Sequence, residues 1–239
     1  MLHLSRHNIE AIGESVLRDF TAQSGQGDHI CVPIDIIALS NRYLGLEIQY
    51  RKLSDHGNTL GLTAYGGMEV ELSLHGGKEL VHAPEDTIFL DEKLRCPEYT
   101  RHRRFTIAHE CAHQILARIA EIKTGYSFHR VFEPGKRYAS GEIKTAEDWC
   151  EWQANALGAA LLMPKSKITP HMNLGGKPHK LTLFGYRFNY TDYKKLKELS
   201  EMFKVSSSAM KIRLGELGFI VNKSTLEYAD PLDIFVDAG

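Results

Sequence analysis

Cysteine is scarce and scattered. Cys31, Cys96, Cys111 and Cys150 are the four in 239 residues. No two stand in a C-x-x-C pair, so neither a disulfide framework nor a cysteine zinc knuckle is expected. Reduced thiols in a cytoplasmic protein are the plain expectation. Long apolar runs are missing as well. Nothing approaches the roughly 20 residues of a membrane span, so no membrane partner is expected. The opening MLHLSRHNIEAIGESVLRDF is interrupted by Glu10, Glu14 and Asp19, unlike a secretory leader. Net charge is nearly nil, −1, which argues against a globally basic nucleic-acid binder. Internal repeats and low-complexity tracts are also absent.

What is present is enough apolar sequence, 43%, for a full core without staples. Charge is uneven: residues 177–223 carry ten Lys+Arg against four Asp+Glu, and residues 224–239 carry none against four. Residues 7–22 place Ile9, Ile12, Val16, Leu17 and Phe20 near helical spacing. PIDIIALSNRYLG predicts a second helix, opened by Pro33 and closed by Gly45. LEIQYRKL, TLGLTAY, MEVELSL and DTIFLDE read as strands, with a hairpin turn around Gly76-Gly77. From Pro97 to Glu121 the pattern turns helical, with Phe105, Ala108, Ala112, Ile115, Leu116 and Ile119 on one face and Gly125 as a stop. Polar, glycine-punctuated residues 126–144 suggest a loop. A long helix follows, capped by Thr145 and running to Pro164.

The chemistry stands in FTIAHECAHQIL, which holds His109, Glu110 and His113 as H-E-x-x-H. Helical residues four apart project about 40° from one another, so the two imidazoles can bind one ion. Glu110 is rotated about 100° from His109. It sits beside the ion, where it can take a proton from an activated water. A catalytic zinc usually has three protein ligands and an open position. The metzincin extension would need Gly and His where Leu116 and Ile119 stand, so that route is closed. The remaining route is a carboxylate on the next helix. Glu151 and Glu147 share a face there. Glu147 stands near the helix start, where acids are favoured by the dipole alone. Glu151 lies deeper, before an apolar run, and ranks first. Asn155, one turn beyond Glu151, can orient a ligand histidine or make a helix–helix polar contact. Cys111 and Cys150 read as small core residues.

RFTIAHECAH followed by EWQANALGAALLMP resembles the ImmA/IrrE family of zinc metallopeptidases. That family pairs H-E-x-x-H with a downstream E-x-x-A-N and an L-L-M-P ending, which stand here at Glu151–Asn155 and Leu161–Pro164. The resemblance covers residues 85–220, with 1–84 only in outline. It implies a gluzincin-like zinc endopeptidase in which His109, His113 and Glu151 hold Zn²⁺ and Glu110 is the catalytic acid/base. In related zincins the strand before the zinc helix pairs with the substrate, and DTIFLDE would be that edge. Tyr126, His129, Arg137 and Tyr138 are the oxyanion-donor candidates in the intervening loop, and the sequence does not choose among them. Family members act on helix-turn-helix repressors, and their cleavage or inactivation releases transcription.

The implied fold is α+β. A zincin-like metallopeptidase core, a small mostly antiparallel sheet packed with an active-site helix and a glutamate-bearing helix, spans residues 1–170. Residues 171–190 read as a connector and residues 191–222 as a helix-turn-helix-like tail, with an acidic stretch over 223–239. In that tail Leu196, Leu199, Phe203, Val205, Ala209, Ile212, Leu214 and Leu217 would share a core, and Ser206 would cap the second helix. Its charge suits phosphate, with Ser207, Ser208 and Lys211 as readers of DNA, but the same unit suits docking of a protein substrate. Two rivals to the peptidase reading are a non-catalytic antirepressor and a DNA-binding regulator with a structural zinc site.

Overall fold

The computed structural model describes residues 3–25, 29–123, 125–130, 145–228 and 236–237. The chain divides into two compact units, Met1–His29 with Asp35–Leu161, and Ile30–Ile34 with Leu162–Gly239. Both helices and sheets are present, as expected of an α+β protein. Among the described residues no helix is long and apolar enough to cross a membrane.

In the first unit, Ser5 and Asn8 form a capping box that opens α1 (Arg6–Gln23). Ile9, Gly13, Leu17 and Thr21 make its buried stripe. α2 (Ile36–Ala38) starts later than Pro33, because the Asp35 side chain accepts from the Ala38 N–H and so sets the cap. It continues as a π turn over Leu39–Tyr43 and closes before Gly45 at φ 71. β1 (Glu47–Arg51), β2 (Thr59–Tyr65), the hairpin strands β3 (Met68–Leu74) and β4 (Gly77–Ala83), and β5 (Thr87–Asp91) follow. The hairpin turns at His75 and Gly76, both with positive φ (55 and 71), as a two-residue primed turn requires.

Two expectations need correction here. The stretch taken as a loop after the H-E-x-x-H helix begins with a strand, β6 (Gly125–Arg130), antiparallel to β2. Its polar, aromatic-rich sequence hid it, and residues 131–144 lie outside the described ones. The sheet order is β1-β5-β2-β6. DTIFLDE is therefore an interior strand, parallel to β1 and antiparallel to β2, and its complete burial fits that place. Among the described residues the end strand beside β2 is β6.

β2 separates two environments. Leu62 and Ala64 pack on one face with Val70, Leu72 and Leu74 of β3 and Val81 and Ala83 of β4. The opposite face, Gly61, Thr63 and Tyr65, meets α3 (Thr100–Ile119). Gln114 of α3 donates to Thr63 Oγ1 at 2.7 Å and to the Ala64 carbonyl at 2.9 Å. Every residue from Thr106 to Ile115 is buried, so α3 is a central helix and not a one-sided amphipathic one. Ile119, expected on its apolar face, is 47% exposed because the helix ends there. Gly125 does not stop α3 but opens β6. α4 (Ala146–Leu162) is capped as expected, with Asp148 N donating to Thr145 Oγ1 and Thr145 N to Asp148 Oδ2, each at 3.0 Å. It crosses α3 at Gly158, where a Cβ would lie 3.1 Å from His109 N and 3.2 Å from His109 Cα.

The second unit holds α5 (Lys165–His171), the short pair β7 (Asn173–Leu174) and β8 (Lys177–Pro178), then β9 (Leu181–Phe184) and β10 (Arg187–Phe188). The connector expected over residues 171–190 is thus two small hairpins. α6 (Tyr190–Phe203) and α7 (Ser207–Glu216) form the expected pair, with Ser206 accepting from the Ala209 N–H. Leu196, Leu199, Phe203, Val205 and Leu214 are buried as anticipated. Ile212 is 38% exposed, because α7 buries positions 210, 213 and 214 instead. Arg213 is among these, and its Nε donates to the Met163 carbonyl at 3.0 Å. β11 (Ile220–Lys223) and β12 (Val236–Asp237) complete a sheet ordered β11-β9-β10-β12, which the helical pattern did not reveal. Of the acidic residues at the end, Asp230 and Asp233 lie outside the described residues.

The close crossing at Gly158 sets a stability test. Gly158→Val should lower the urea unfolding free energy by about 1–3 kcal/mol through overpacking. Gly215→Ala is the control, since nothing lies within 4 Å of a Cβ there, and it should gain up to about 1 kcal/mol of helix propensity. An unshifted midpoint for Gly158→Val would deny the close approach.

Candidate metal centre

Two turns of α3 and one of α4 bring three donors together. His109 Nε2 and His113 Nε2 lie 2.9 Å apart. Glu151 Oε2 is 3.4 Å from His109 Nε2, and Glu151 Oε1 is 3.1 Å from His113 Nε2. These three residues form the group able to hold a metal ion among the described residues, their ligand atoms all within 4.8 Å of one another. Glu147, the second-ranked ligand, stands exposed one turn earlier on α4 and is not in the group. Asn155 reaches the site: His109 Nδ1 donates to its Oδ1 at 3.1 Å.

That bond fixes what the donors can do. A neutral imidazole carries one N–H. With it committed at Nδ1 to Asn155, His109 presents a lone pair at Nε2. Burial, and then the neighbouring His113, hold the His109 imidazole below its ordinary value despite the Glu151 and Asn155 contacts, so the ring stays neutral. Burial alone would raise the Glu151 carboxyl; hydrogen bonding from the facing histidine nitrogens, in the place an ion would take, outweighs it and holds the group well below the usual carboxylate range. A lone pair and an ionised carboxylate converging in a buried site repel unless a cation lies among them. The donor set of two imidazoles and one carboxylate is one that divalent metals take.

Glu110 is the second reason to expect a cation. It is fully buried, and neither carboxylate oxygen has a hydrogen-bond partner. Burial first, and the Glu151 charge second, push its carboxyl well above the usual range. A Cβ at Gly61 of β2 would collide with Glu110 Oε1 and lie 2.8 Å from Thr106 Cγ2. Glycine there gives the acid its room. Cys111, inside the motif, is fully buried, and that burial pushes its thiol up to about 12, which leaves it inert.

Two residues at the site escaped the sequence reading. Tyr65 Oη, at the end of β2, lies 3.3 Å from His113 Nδ1. Burial, then the Glu110 charge, holds its phenol above the ordinary value, so it stays neutral. Ser127 of β6 donates to Glu151 Oε1 at 2.7 Å and lies 3.1 Å from His113 Nε2. Tyr65 carried a signal in the period-two pattern of β2, which sets it on the face of Gly61 and Thr63. Ser127 carried none, because its strand read as a loop. Of the four oxyanion candidates, Arg137 and Tyr138 lie outside the described residues, and the side chains of Tyr126 and His129 do also.

Two imidazoles and a carboxylate on two crossing helices, with a buried acid alongside, define a metallopeptidase-type centre. The model of the peptidase family M78, described as an IrrE N-terminal-like domain, matches residues 80–215, and the chain belongs to that family. Comparison with curated proteins finds no match.

The donor set predicts about one divalent metal per chain in protein purified without added metal. Glu151→Gln should lose most of it and the exposed Glu147→Gln should keep it, as read by elemental analysis. Equal contents in the two variants would remove Glu151 from the site. Ligation needs unprotonated imidazole, and burial holds His109 below its ordinary value, so affinity should hold at neutral pH and fall only below the ordinary imidazole range.

Proposed function

We propose that the chain is a cytoplasmic, zinc-dependent endopeptidase that cuts a helix-turn-helix transcriptional repressor and so relieves repression. The observation that carries the catalytic part is Glu110, buried without a hydrogen-bond partner beside His109, His113 and Glu151. A site that only held the fold together would have no use for an orphaned acid, whose burial is costly. The cytoplasmic part rests on the four scattered cysteines, none of them in a C-x-x-C pair. The repressor rests on the family resemblance alone.

A zinc ion held by His109, His113 and Glu151 would supply Lewis-acid polarisation of the scissile carbonyl and acidify a water. Glu110 takes the proton of the attacking water on a carboxylate oxygen and hands it to the leaving amine. Gly61 keeps the acid in place, and Asn155 keeps His109 in the tautomer that ligates. The extended substrate pairs with β6, the end strand beside the site, instead of the interior β5.

The rival readings, an antirepressor without catalysis and a DNA-binding regulator with structural zinc, draw on the basic charge of residues 177–223. The exposed positions of α7 include Ser208, Ile212 and Gly215, a poor set for reading base edges. A surface of that charge also suits docking of a protein partner.

The test is to incubate zinc-loaded wild type and Glu110→Gln with purified helix-turn-helix repressors from the same organism and read the products by mass spectrometry. The wild type should cleave a repressor at a defined bond. Glu110→Gln should keep its zinc and cleave about 10²–10⁴-fold more slowly. Undiminished cleavage by the variant would dismiss Glu110 as the base. Repressor capture by both proteins with no cleavage would favour the antirepressor.

A further inference from the structure

We propose that Tyr65 and Ser127 are positioning residues, each holding one metal ligand in its binding orientation. This rests on the metal-site reading above and extends it to residues outside the ligand motifs. Three donors stand at the site, and each has its own partner on a different element. His109 is held by Asn155 of α4, His113 by Tyr65 of β2, and Glu151 by Ser127 of β6.

The chemistry of each contact suits ligation. For His113 to offer Nε2 to an ion, its proton must sit on Nδ1. The Tyr65 oxygen, 3.3 Å from that nitrogen, is the acceptor available to it. Ser127 has one hydroxyl proton and two neighbours. The shorter contact, 2.7 Å, is to the charged Glu151 Oε1 and takes the proton; the 3.1 Å contact to His113 Nε2 does not. Tying down one carboxylate oxygen leaves the other for the ion and stops the group from rotating.

Strand register makes both contacts at once. Thr63 pairs with Ser127 and Tyr65 with Gly125 across β2 and β6, which places Ser127 and Tyr65 on the same face of the sheet. The residue opposite Tyr65 has no side chain. A Cβ on Gly125 would lie 3.3 Å from Tyr65 Cδ2, and its φ of 137 is one that other residues rarely adopt. The tyrosine ring therefore has room to reach back to His113.

The test measures zinc affinity against a competing chelator for wild type, Tyr65→Phe, Ser127→Ala and Ser127→Thr, with the melting temperature of each metal-free protein alongside. Tyr65→Phe and Ser127→Ala should each weaken zinc binding about 10–100-fold with unchanged metal-free melting. Ser127→Thr, which keeps the hydroxyl, should restore it. The visible bands of bound Co²⁺ should change in Ser127→Ala, where the carboxylate is released, and not in Ser127→Thr. Should Tyr65→Phe itself melt lower, the Ser127 pair decides. A wild type that binds tightly alongside variants that bind equally tightly overturns this proposal alone. A wild type that binds neither zinc nor Co²⁺ overturns it together with the metallopeptidase reading.

Discussion

The constraint on which the first unit depends is the burial of His109, Glu110 and His113 in the middle of its central helix. Their relative exposures are 0%, 0% and 2%. Polar groups so placed cost several kcal/mol each unless something answers them, and α3 cannot answer them from within. The neighbouring elements are shaped around that need. α4 approaches through Gly158 so closely that its backbone nearly touches that of His109, which is how Glu151 and Asn155 reach across. β2 has a glycine where the carboxylate of Glu110 lies and a tyrosine where His113 turns its outer nitrogen.

The same strand does two jobs that follow its alternation. Leu62 and Ala64 close a dry core with the β3–β4 hairpin. Gly61, Thr63 and Tyr65, between and beside them, answer Glu110, Gln114 and His113 in turn. The hydrogen bonds of Gln114 to Thr63 and to the Ala64 carbonyl fix the helix along the strand. Packing and chemistry are thus set by one register, and neither can be adjusted without the other.

Much of this was legible in the chain before any coordinates. The i, i+4 spacing gives a common face to His109 and His113 by helix geometry alone, and the apolar run after Glu151 singled it out over Glu147. Hairpin, caps and the α6–α7 pair were announced by local turn and cap chemistry at Gly76, Thr145 and Ser206. What stayed hidden depends on partners far along the chain. β6 is a strand because β2 is beside it, and β5 is interior because β1 and β6 lie further out. The short strands of the second unit have two to four residues, too few to show a period. Ile212, expected in the core, is exposed while Arg213 is buried, because a one-position rotation of a ten-residue helix is invisible in composition.

The two-sidedness of β2 also acts as an inspection. A strand that slips by one residue presents every side chain to the wrong face. In such a molecule Leu62 and Ala64 would project into the metal centre while Thr63 and Tyr65 would be driven into the hairpin core. It would be unable both to hold an ion and to hold its shape. A misassembled chain is for that reason also one without its donor group, so the same pleat that holds the fold vouches for the site.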